Sequence, residues 1–161
     1  MKIRSALPQD AEAILALNAD SVHLLSAMDA ARLAHLQQEA AWHQVVELGE
    51  RVVGFVLAFR EGADYDSLNY QWFAARYPQF LYIDRIVIGE EVRGLGVGGM
   101  LYERVLAFAR ETGAPSLTCE YDVDPPNPVS EKFHHGFGFE EVGRQRLPNG
   151  KSVSLQAMKV G

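Results

Sequence analysis

The chain has 161 residues, of which 48% are hydrophobic, and this suits a single domain with a buried core. Its net charge of −6, without a basic stripe, argues against nucleic acid as a partner and favours a cationic or neutral substrate. No run of about eighteen apolar residues predicts a membrane span, and residues 1–13 lack the apolar core of a signal peptide, so we expect a cytoplasmic protein with no membrane partner. The single cysteine, Cys119, excludes an internal disulfide and a zinc site built from cysteines.

The first forty residues predict a strand followed by two helices. Residues 2–7 alternate in polarity and end at Pro8, which is typical of a β-strand. Asp10 is placed to cap a short helix, and a second helix is predicted over residues 26–40. The histidines of this half lack the spacing and the carboxylate neighbours of a metal site, so we expect no bound metal. They are His23, His35 and His43.

Two β-rich runs follow, over residues 42–48 and 51–59. Gly49-Glu50 separates them, and this arrangement predicts an antiparallel hairpin. The second run is almost wholly apolar, so its strand is expected to lie deep in the sheet.

The next connection, residues 60–79, is long and rich in aromatic and acidic side chains. Loops of this length inside compact domains are more often binding lids than spacers, and acidic and aromatic groups suit an ammonium or an aromatic amine. We therefore expect the segment to line a substrate-binding pocket through Asp64, Tyr65, Asp66, Tyr70 and Trp72. An alternative, compatible with the first, is a helix whose aromatic face packs on the core. Exposed aromatic residues here are also compatible with a homodimer.

Residues 80–112 combine a strand, a glycine-rich loop and a helix. An apolar run from Leu81 stops at Gly89, and apolar residues recur at helical spacing from Leu101. Glycines let the backbone approach a ligand, and the first N–H groups of a helix lack internal partners, so we expect the loop to bind a diphosphate. The loop comprises Arg93, Gly94, Leu95, Gly96, Val97, Gly98 and Gly99.

The same glycines allow an alternative. Gly94-x-Gly96-x-x-Gly99 matches the dinucleotide-binding fingerprint, and Glu120 lies about twenty residues further on, where a ribose-binding acid is expected. This alternative is a nicotinamide-dependent oxidoreductase. Against it, residues 89–93 separate the loop from its strand, and only about sixty residues remain, too few for the rest of a doubly wound sheet.

The last third of the chain predicts a strand, a helix and a hairpin. The strand is expected over residues 117–123, and the helix runs from Pro128, in its first turn, to about His135. A closing hairpin is predicted around residues 148–150. No repeat, low-complexity tract or linker interrupts the chain, so we expect residues 1–161 to form one domain.

Two motifs resemble those of the GNAT acetyltransferase superfamily. Arg93-x-x-Gly96-x-Gly98 is similar to the acetyl-CoA signature of that family, Gln/Arg-x-x-Gly-x-Gly/Ala. A second frame is similar to the family's Asn-x-x-Ala-x-x-Leu-Tyr-x-x-x-Gly-Phe and reads Asn127-x-x-Ser130-x-x-Phe133-His134-x-x-x-Gly138-Phe139. The departure is His134, where the family has a tyrosine. The motifs cover about residues 81–142, and the order of the preceding elements is also similar.

The resemblance implies an α/β (α+β) GNAT fold. In this fold, helices flank a mixed, mostly antiparallel sheet of about seven strands with a splayed central strand pair. The implied activity is transfer of an acetyl group from acetyl-CoA to a primary amine of a small molecule or a peptide by direct attack. The pantetheine arm would pair with the backbone of the central strand. Outside the loop, the implied donor-binding residues are Ile86, Val87, Ile88, Asn127 and Phe133.

The resemblance also bears on catalysis. In the family the tyrosine protonates the leaving thiolate, so His134 either carries this acid role or has a binding or packing role. The attacking amine must first lose a proton, and the candidate bases are Glu120, which we prefer, and Asp84, both acidic residues in apolar strands. Alternatively, Asp84 pairs with Arg85, and Glu120 anchors the 60–79 segment. Because the tyrosine is missing, a non-catalytic CoA-binding regulatory domain is a further alternative.

Overall fold

The computed structural model describes residues 1–21 and 27–161, which form seven strands and five α-helices. The strands are β1 (Lys2–Ser5), β2 (Trp42–Leu48), β3 (Arg51–Arg60), β4 (Leu81–Ile88), β5 (Ser116–Asp124), β6 (Glu140–Arg146) and β7 (Ser152–Lys159). The helices are α1 (Ala11–Asp20), α2 (Ala30–Glu39), α3 (Leu68–Ala74), α4 (Val97–Glu111) and α5 (Pro128–Phe137). Among the described residues, no helix is long and apolar enough to cross a membrane, and no group of three or more His, Cys, Asp or Glu side chains is placed to hold a metal ion.

The strands form one mixed sheet in the order β1-β2-β3-β4-β5-β7-β6. Antiparallel pairing joins β1 to β2, β2 to β3, β5 to β7 and β6 to β7, whereas β4 and β5 are parallel. In the described part of the chain, the β4–β5 ladder consists of Leu81 opposite Leu117 and Tyr82 opposite Thr118, and both strands continue beyond it. The mixed, mostly antiparallel sheet flanked by helices confirms the predicted fold class.

The chain divides into two compact units, one formed by residues 1–59 and 83–108 and the other by residues 60–82 and 109–161. The first unit contains the β2–β3 hairpin, which forms as predicted. Gly49 turns the chain with a φ of +65°, a left-handed conformation that glycine adopts without steric cost. Trp42 of this hairpin stacks on Phe108 of α4, with ring centroids 5.6 Å apart, so α4 packs against the hairpin. One domain over the whole chain stays a prediction.

Asp10 does not have the capping role that the sequence predicts. It precedes α1, but no described residue of that helix donates a hydrogen bond to its carboxylate. The carboxylate instead accepts from the Leu7 amide at 2.7 Å and from the Arg4 guanidinium at 2.8 and 2.9 Å. Bidentate pairing with a guanidinium is stronger than one bond to a helix amide, and this competition explains the difference.

The second helix is shorter than predicted. It begins at Ala30, where Asp29 acts as N-cap and accepts from the Arg32 amide at 2.7 Å. The predicted start at Ser26 and the candidate His23 lie outside the described residues. Leu33 and Leu36 face the core, which is the inward face that helical spacing predicts.

The 60–79 segment belongs to the second unit and contains α3. Tyr70 and Phe73 of this helix form an aromatic cluster with Phe80 and Tyr82, in which neighbouring ring centroids lie 5.6 to 6.3 Å apart. All four side chains are buried. The predicted alternative, a helix packed through its aromatic face, is therefore confirmed.

The remaining elements of the second unit form as predicted. Pro128 lies in the first turn of α5, and Gly138 ends this helix with a φ of +119°. Antiparallel pairing of β6 with β7 forms the closing hairpin, and Gly150 lies in its turn with a φ of +88°. Cys119 is buried in β5, and burial raises the pKa of its thiol well above the usual range, which is typical of a structural cysteine.

Candidate active site

The glycine loop of the first unit begins where β4 ends. The Gly89 amide donates to the Val53 carbonyl at 2.7 Å, and a Cβ at position 89 would lie 2.8 Å from the same oxygen. Only glycine permits this approach. A short 3-10 turn over Glu90–Val92 follows, and Arg93 then donates from Nε to the Ile88 carbonyl at 3.1 Å. This bond attaches the start of the loop to the end of the strand.

The loop exposes backbone rather than bulky side chains. Gly94 and Gly96 each have a φ of +79°, a left-handed conformation that costs other residues about 1–2 kcal/mol. A Cβ at Gly94, Gly96 or Gly99 would meet no described atom within 4 Å, so these positions face open space. The Met100 amide donates to the Gly96 carbonyl at 3.1 Å, and the amides before it have no acceptor within α4. Open glycines at a helix N-terminus suit a phosphate or a diphosphate.

The other donor-binding candidates of this unit lie at the end of β4. Burial alternates there, because Val87 is 4% exposed and packs inward whereas Ile86 and Ile88 are partly exposed. A Cβ at Gly98 would lie 3.3 Å from Cδ1 of Ile88, so the strand end packs closely against the first turn of α4. The structure thus brings the predicted pantetheine strand and the predicted diphosphate loop together.

Asp84 forms an ion pair with Arg85, as the predicted alternative to a catalytic role requires. Its carboxylate accepts from Nε of Arg85 at 2.9 Å, and Nη1 of Arg85 donates to Oδ1 of Asn18 at 3.1 Å. The side chains of Asp84 and Arg85 are only 7% and 5% exposed. A buried carboxylate that compensates a buried guanidinium has a structural role, because removing either charge leaves the other without compensation.

Glu120 lies on β5 in the second unit and is partly exposed. Its Oε1 accepts a hydrogen bond from the hydroxyl of Tyr82, which is fully buried in the aromatic cluster. Tyr82 is not among the residues predicted from the sequence to form the site. The available signal is a phenol inside an apolar strand, where a buried hydroxyl requires a partner.

His134 is buried on α5, with 5% exposure. Its Nδ1 donates to the Ser130 carbonyl at 2.7 Å, and its ring centroid lies 5.4 Å from those of Tyr121 and Phe139. Burial lowers the pKa of His134, against the smaller raising effect of the Ser130 bond, so the ring is neutral at neutral pH. A neutral ring protonated on Nδ1 has an Nε2 that accepts rather than donates. This environment favours the packing role over the acid role.

Glu120 and His134 are not brought side by side. His134 packs on Tyr121, which directly follows Glu120 in β5, and successive side chains of a strand point to opposite faces. The carboxylate and the imidazole therefore lie on different faces of this strand.

Asn127 and Phe133 organise α5. Oδ1 of Asn127 accepts from the Ser130 amide at 3.3 Å and caps the helix. The ring of Phe133 stacks on that of Phe137, with centroids 6.1 Å apart. Each residue therefore has a structural role in the second unit, beside the donor contact that the resemblance implies.

The five predicted acceptor residues fall into two groups. Tyr65 and Tyr70 are buried, and the Tyr70 hydroxyl donates to the Arg60 carbonyl at 2.7 Å. The other three, Asp64, Asp66 and Trp72, reach the surface to different extents. The guanidinium of Arg76 lies 4.0 Å from the centre of the Trp72 ring, and a Cβ at Gly143 would overlap that ring, so Trp72 packs tightly against β6.

Sequence comparison identifies a family. A sequence model of the acetyltransferase (GNAT) family matches residues 10–139, which include the glycine loop and the frame from Asn127 to Phe139. The match assigns the loop glycines to this family rather than to a dinucleotide-binding fold. No curated protein shows a significant sequence match to the chain.

Several solved structures have the same fold over almost the entire chain. Ard1 from Thermoplasma volcanium is 19% identical, with a TM-score of 0.79 over 99% of this chain and 97% of its own. The ribosomal-protein-S18-alanine N-acetyltransferase from Escherichia coli is 14% identical, with a TM-score of 0.75 over 99% and 94%. FeeM, an N-acyl amino acid synthase from uncultured soil microbes, is 21% identical, with a TM-score of 0.74 over 99% and 95%. At these identities the likeness establishes the fold.

Proposed function

The chain belongs to the acetyltransferase (GNAT) family, and from this premise we propose that it transfers an acetyl group from acetyl-CoA to a primary amine of a small molecule or a peptide. The observation that carries the proposal is the loop from Arg93 to Gly99. Its two left-handed glycines face open space at the N-terminus of α4, where backbone amides suit the diphosphate of CoA.

Acetyl-CoA, the proposed donor, is bound mainly by backbone groups of the protein. The diphosphate accepts from the amides of the loop, and Arg93 keeps the loop attached to the end of β4 through its bond to the Ile88 carbonyl. Pantetheine pairs with the backbone around Ile86 and Ile88 as an added strand. The resemblance also gives Asn127 and Phe133 of α5 as donor-binding residues.

The acceptor is a primary amine bound by the 60–79 segment. Asp64 and Asp66 offer exposed carboxylates for an ammonium group, and Trp72 offers the part of its ring that Arg76 and β6 leave accessible. Tyr65 and Tyr70 support this surface from the core. The Escherichia coli neighbour is named for a ribosomal protein and FeeM for N-acyl amino acids, so known members of the fold act on amines of different size. The net charge of −6 favours a cationic acceptor.

Of the two candidate bases, Glu120 is the better supported. It is partly exposed and accepts a hydrogen bond from a neutral phenol, whereas Asp84 is buried and paired with Arg85. The resemblance gives His134 as the candidate general acid, but the burial of this side chain favours a packing role. The leaving thiolate then takes up the proton lost from the attacking nitrogen, directly or through water.

A second candidate function is a CoA-binding domain without catalysis. Its support is the buried, neutral His134 at the position of the family's tyrosine. Thiol release from acetyl-CoA, measured over a panel of small-molecule and peptide amines, separates the two functions. Amine-dependent release that Glu120→Gln reduces by about 10²-fold supports transfer. Tight acetyl-CoA binding with no release above hydrolysis for any amine would favour the non-catalytic domain.

A further inference from the structure

The Tyr82 hydroxyl has an unusual partner for a buried phenol. Tyr82 has no solvent exposure and lies among the rings of Tyr70 and Phe73, at 5.7 and 5.9 Å between centroids. A buried hydroxyl must be hydrogen-bonded, and the neighbouring Tyr70 meets this need with a backbone carbonyl, that of Arg60. Tyr82 instead donates to the side chain of Glu120, a residue that is partly exposed.

Strand pairing places the two groups together. Tyr82 pairs with Thr118 in the last described rung of the β4–β5 ladder, and Glu120 lies two residues beyond Thr118 on the same face of β5. Thr118 is itself buried, and its hydroxyl donates to the Leu81 carbonyl at 3.4 Å. The Glu120 carboxylate is therefore hydrogen-bonded, next to the end of the ladder, to a fully buried ring.

We propose that Tyr82 is a positioning residue that orients the Glu120 carboxylate for proton uptake from the acceptor amine. The inference rests on the proposed acetyl transfer and adds a residue to it. A carboxylate on a flexible side chain samples several rotamers, and a donor from a rigid, buried ring restricts it to one. The Tyr82 hydroxyl keeps its own proton and does not touch the reacting atoms.

The oriented carboxylate serves the first proton transfer of the reaction. The acceptor arrives as an ammonium ion and gives one proton to the Glu120 carboxylate, and its nitrogen lone pair then attacks the thioester carbonyl. The nitrogen–carbon bond forms, the carbon–sulfur bond breaks, and its electron pair leaves with sulfur, which takes up the second proton lost from nitrogen. The products are an amide and the thiol of CoA, and Glu120 returns its proton to solvent.

The aromatic cluster connects the Tyr82–Glu120 pair to the proposed acceptor segment. Tyr82 contacts Tyr70 and Phe73, both on α3, and α3 lies within the 60–79 segment proposed to bind the amine. The ring that orients Glu120 is therefore packed by the helix that forms the proposed acceptor surface.

Tyr82→Phe tests the inference, because it removes one hydroxyl and keeps the ring. We expect kcat with a good amine to fall by about tenfold to 100-fold, with unchanged affinity for acetyl-CoA. The acidic limb of the pH–rate profile should move to higher pH, since the carboxylate loses a hydrogen bond to its charged form. Tyr102→Phe is the matched control, because Tyr102 is also a buried tyrosine but lies on α4, outside the proposed acceptor segment, and this variant should keep the parent profile. In a double-mutant cycle, Tyr82→Phe should add little to Glu120→Gln.

A measurement that does not depend on turnover tests the effect of Tyr82 on Glu120 separately from the proposed activity. In protein with ¹³C-labelled glutamate, the NMR titration of the Glu120 carboxyl should shift in Tyr82→Phe and stay unchanged in Tyr102→Phe. If Tyr82→Phe keeps the parent pH–rate profile, or leaves the Glu120 titration unchanged, the positioning role is wrong even though acetyl transfer stands. If no amine releases thiol from the parent, the proposed function fails and the catalytic role of Tyr82 falls with it. An altered titration would then show only that the hydrogen bond exists.

Discussion

Gly89 at the end of β4 and Gly96 in the glycine loop are both required to be glycine, but for different physical reasons. Gly89 is required by contact, since a Cβ there would lie 2.8 Å from the Val53 carbonyl oxygen. Gly96 is required by conformation, with a φ of +79°, and has open space around it. Substitution of Gly89 is therefore expected to disturb folding, and substitution of Gly96 is expected to disturb what binds in the open space.

Gly96→Val should weaken acetyl-CoA binding by at least about tenfold while the protein stays folded. Valine fills the space that the diphosphate needs, and the left-handed backbone adds about 1–2 kcal/mol of strain. Gly150→Val is a matched control, because Gly150 has a φ of +88° and open surroundings in the β6–β7 turn. Calorimetric titration with acetyl-CoA measures the affinity, and circular dichroism reports the fold. Parent-like affinity in folded Gly96→Val would remove the diphosphate assignment.

Substitution of His134 tests whether this residue acts as the acid or only packs in the core. Because burial lowers the pKa of His134 and its Nδ1 proton is directed to Ser130, we expect His134→Phe to lower kcat by less than about tenfold. Loss of proton delivery would instead cost about 10²-fold or more. His134→Tyr returns the group of the family and provides the comparison. A large loss in the phenylalanine variant, with recovery in the tyrosine variant, would establish the acid role.

At the scale of elements, β2 contains a histidine in an unfavourable environment. His43 packs edge-to-face on Phe55, with centroids 6.4 Å apart, and its Nε2 is a buried atom for which the described residues provide no hydrogen-bond partner. Burial lowers the pKa of His43 to about 4, and the charge of Asp10 opposes this only in part. The folded strand thus requires a neutral ring.

Because the folded protein requires a neutral His43 ring, we predict that its free energy of unfolding falls in acid. Between about pH 6.5 and about pH 4 the unfolded chain binds a proton at His43 that the folded chain does not, so the free energy of unfolding falls as pH falls through this window. The loss amounts to about 3 kcal/mol. His43→Phe should remove most of this loss, and the lowered pKa of His134 should leave a residual slope of the same sign. Urea unfolding at several pH values measures the slope, with the exposed His135→Gln as control. Equal slopes in parent and His43→Phe would contradict the prediction.

At the scale of the whole molecule, binding of the true donor ligand stabilises the folded state against unfolding. A ligand that binds only the folded state at about 100 times its Kd raises the free energy of unfolding by about 2.7 kcal/mol. We expect a rise of this size in thermal denaturation with acetyl-CoA and none with NAD⁺, the ligand of the dinucleotide alternative. Gly96→Val should lose the acetyl-CoA effect. Stabilisation by NAD⁺ alone would contradict the family-based assignment of the loop.

Local patterns in the sequence determined much of the fold. The hairpin at Gly49, the strand ending at Gly89 and the helix after the glycine loop were all predictable. Each depends on periodicity or on a backbone conformation that a few adjacent residues specify by themselves. The spacing of the two motifs likewise placed the chain in its family before any contact was known.

Only the tertiary structure decided which chemistry each polar side chain can perform. Asp10 pairs with Arg4 instead of capping a helix, Glu120 accepts from Tyr82, and His134 is enclosed by aromatic rings. A partner that lies 38 positions away, as Tyr82 does from Glu120, leaves no periodic trace in the sequence. The burial and hydrogen bonding that determine whether an acidic or basic group is charged come from residues brought together by folding, and the sequence lists those residues without bringing them into contact.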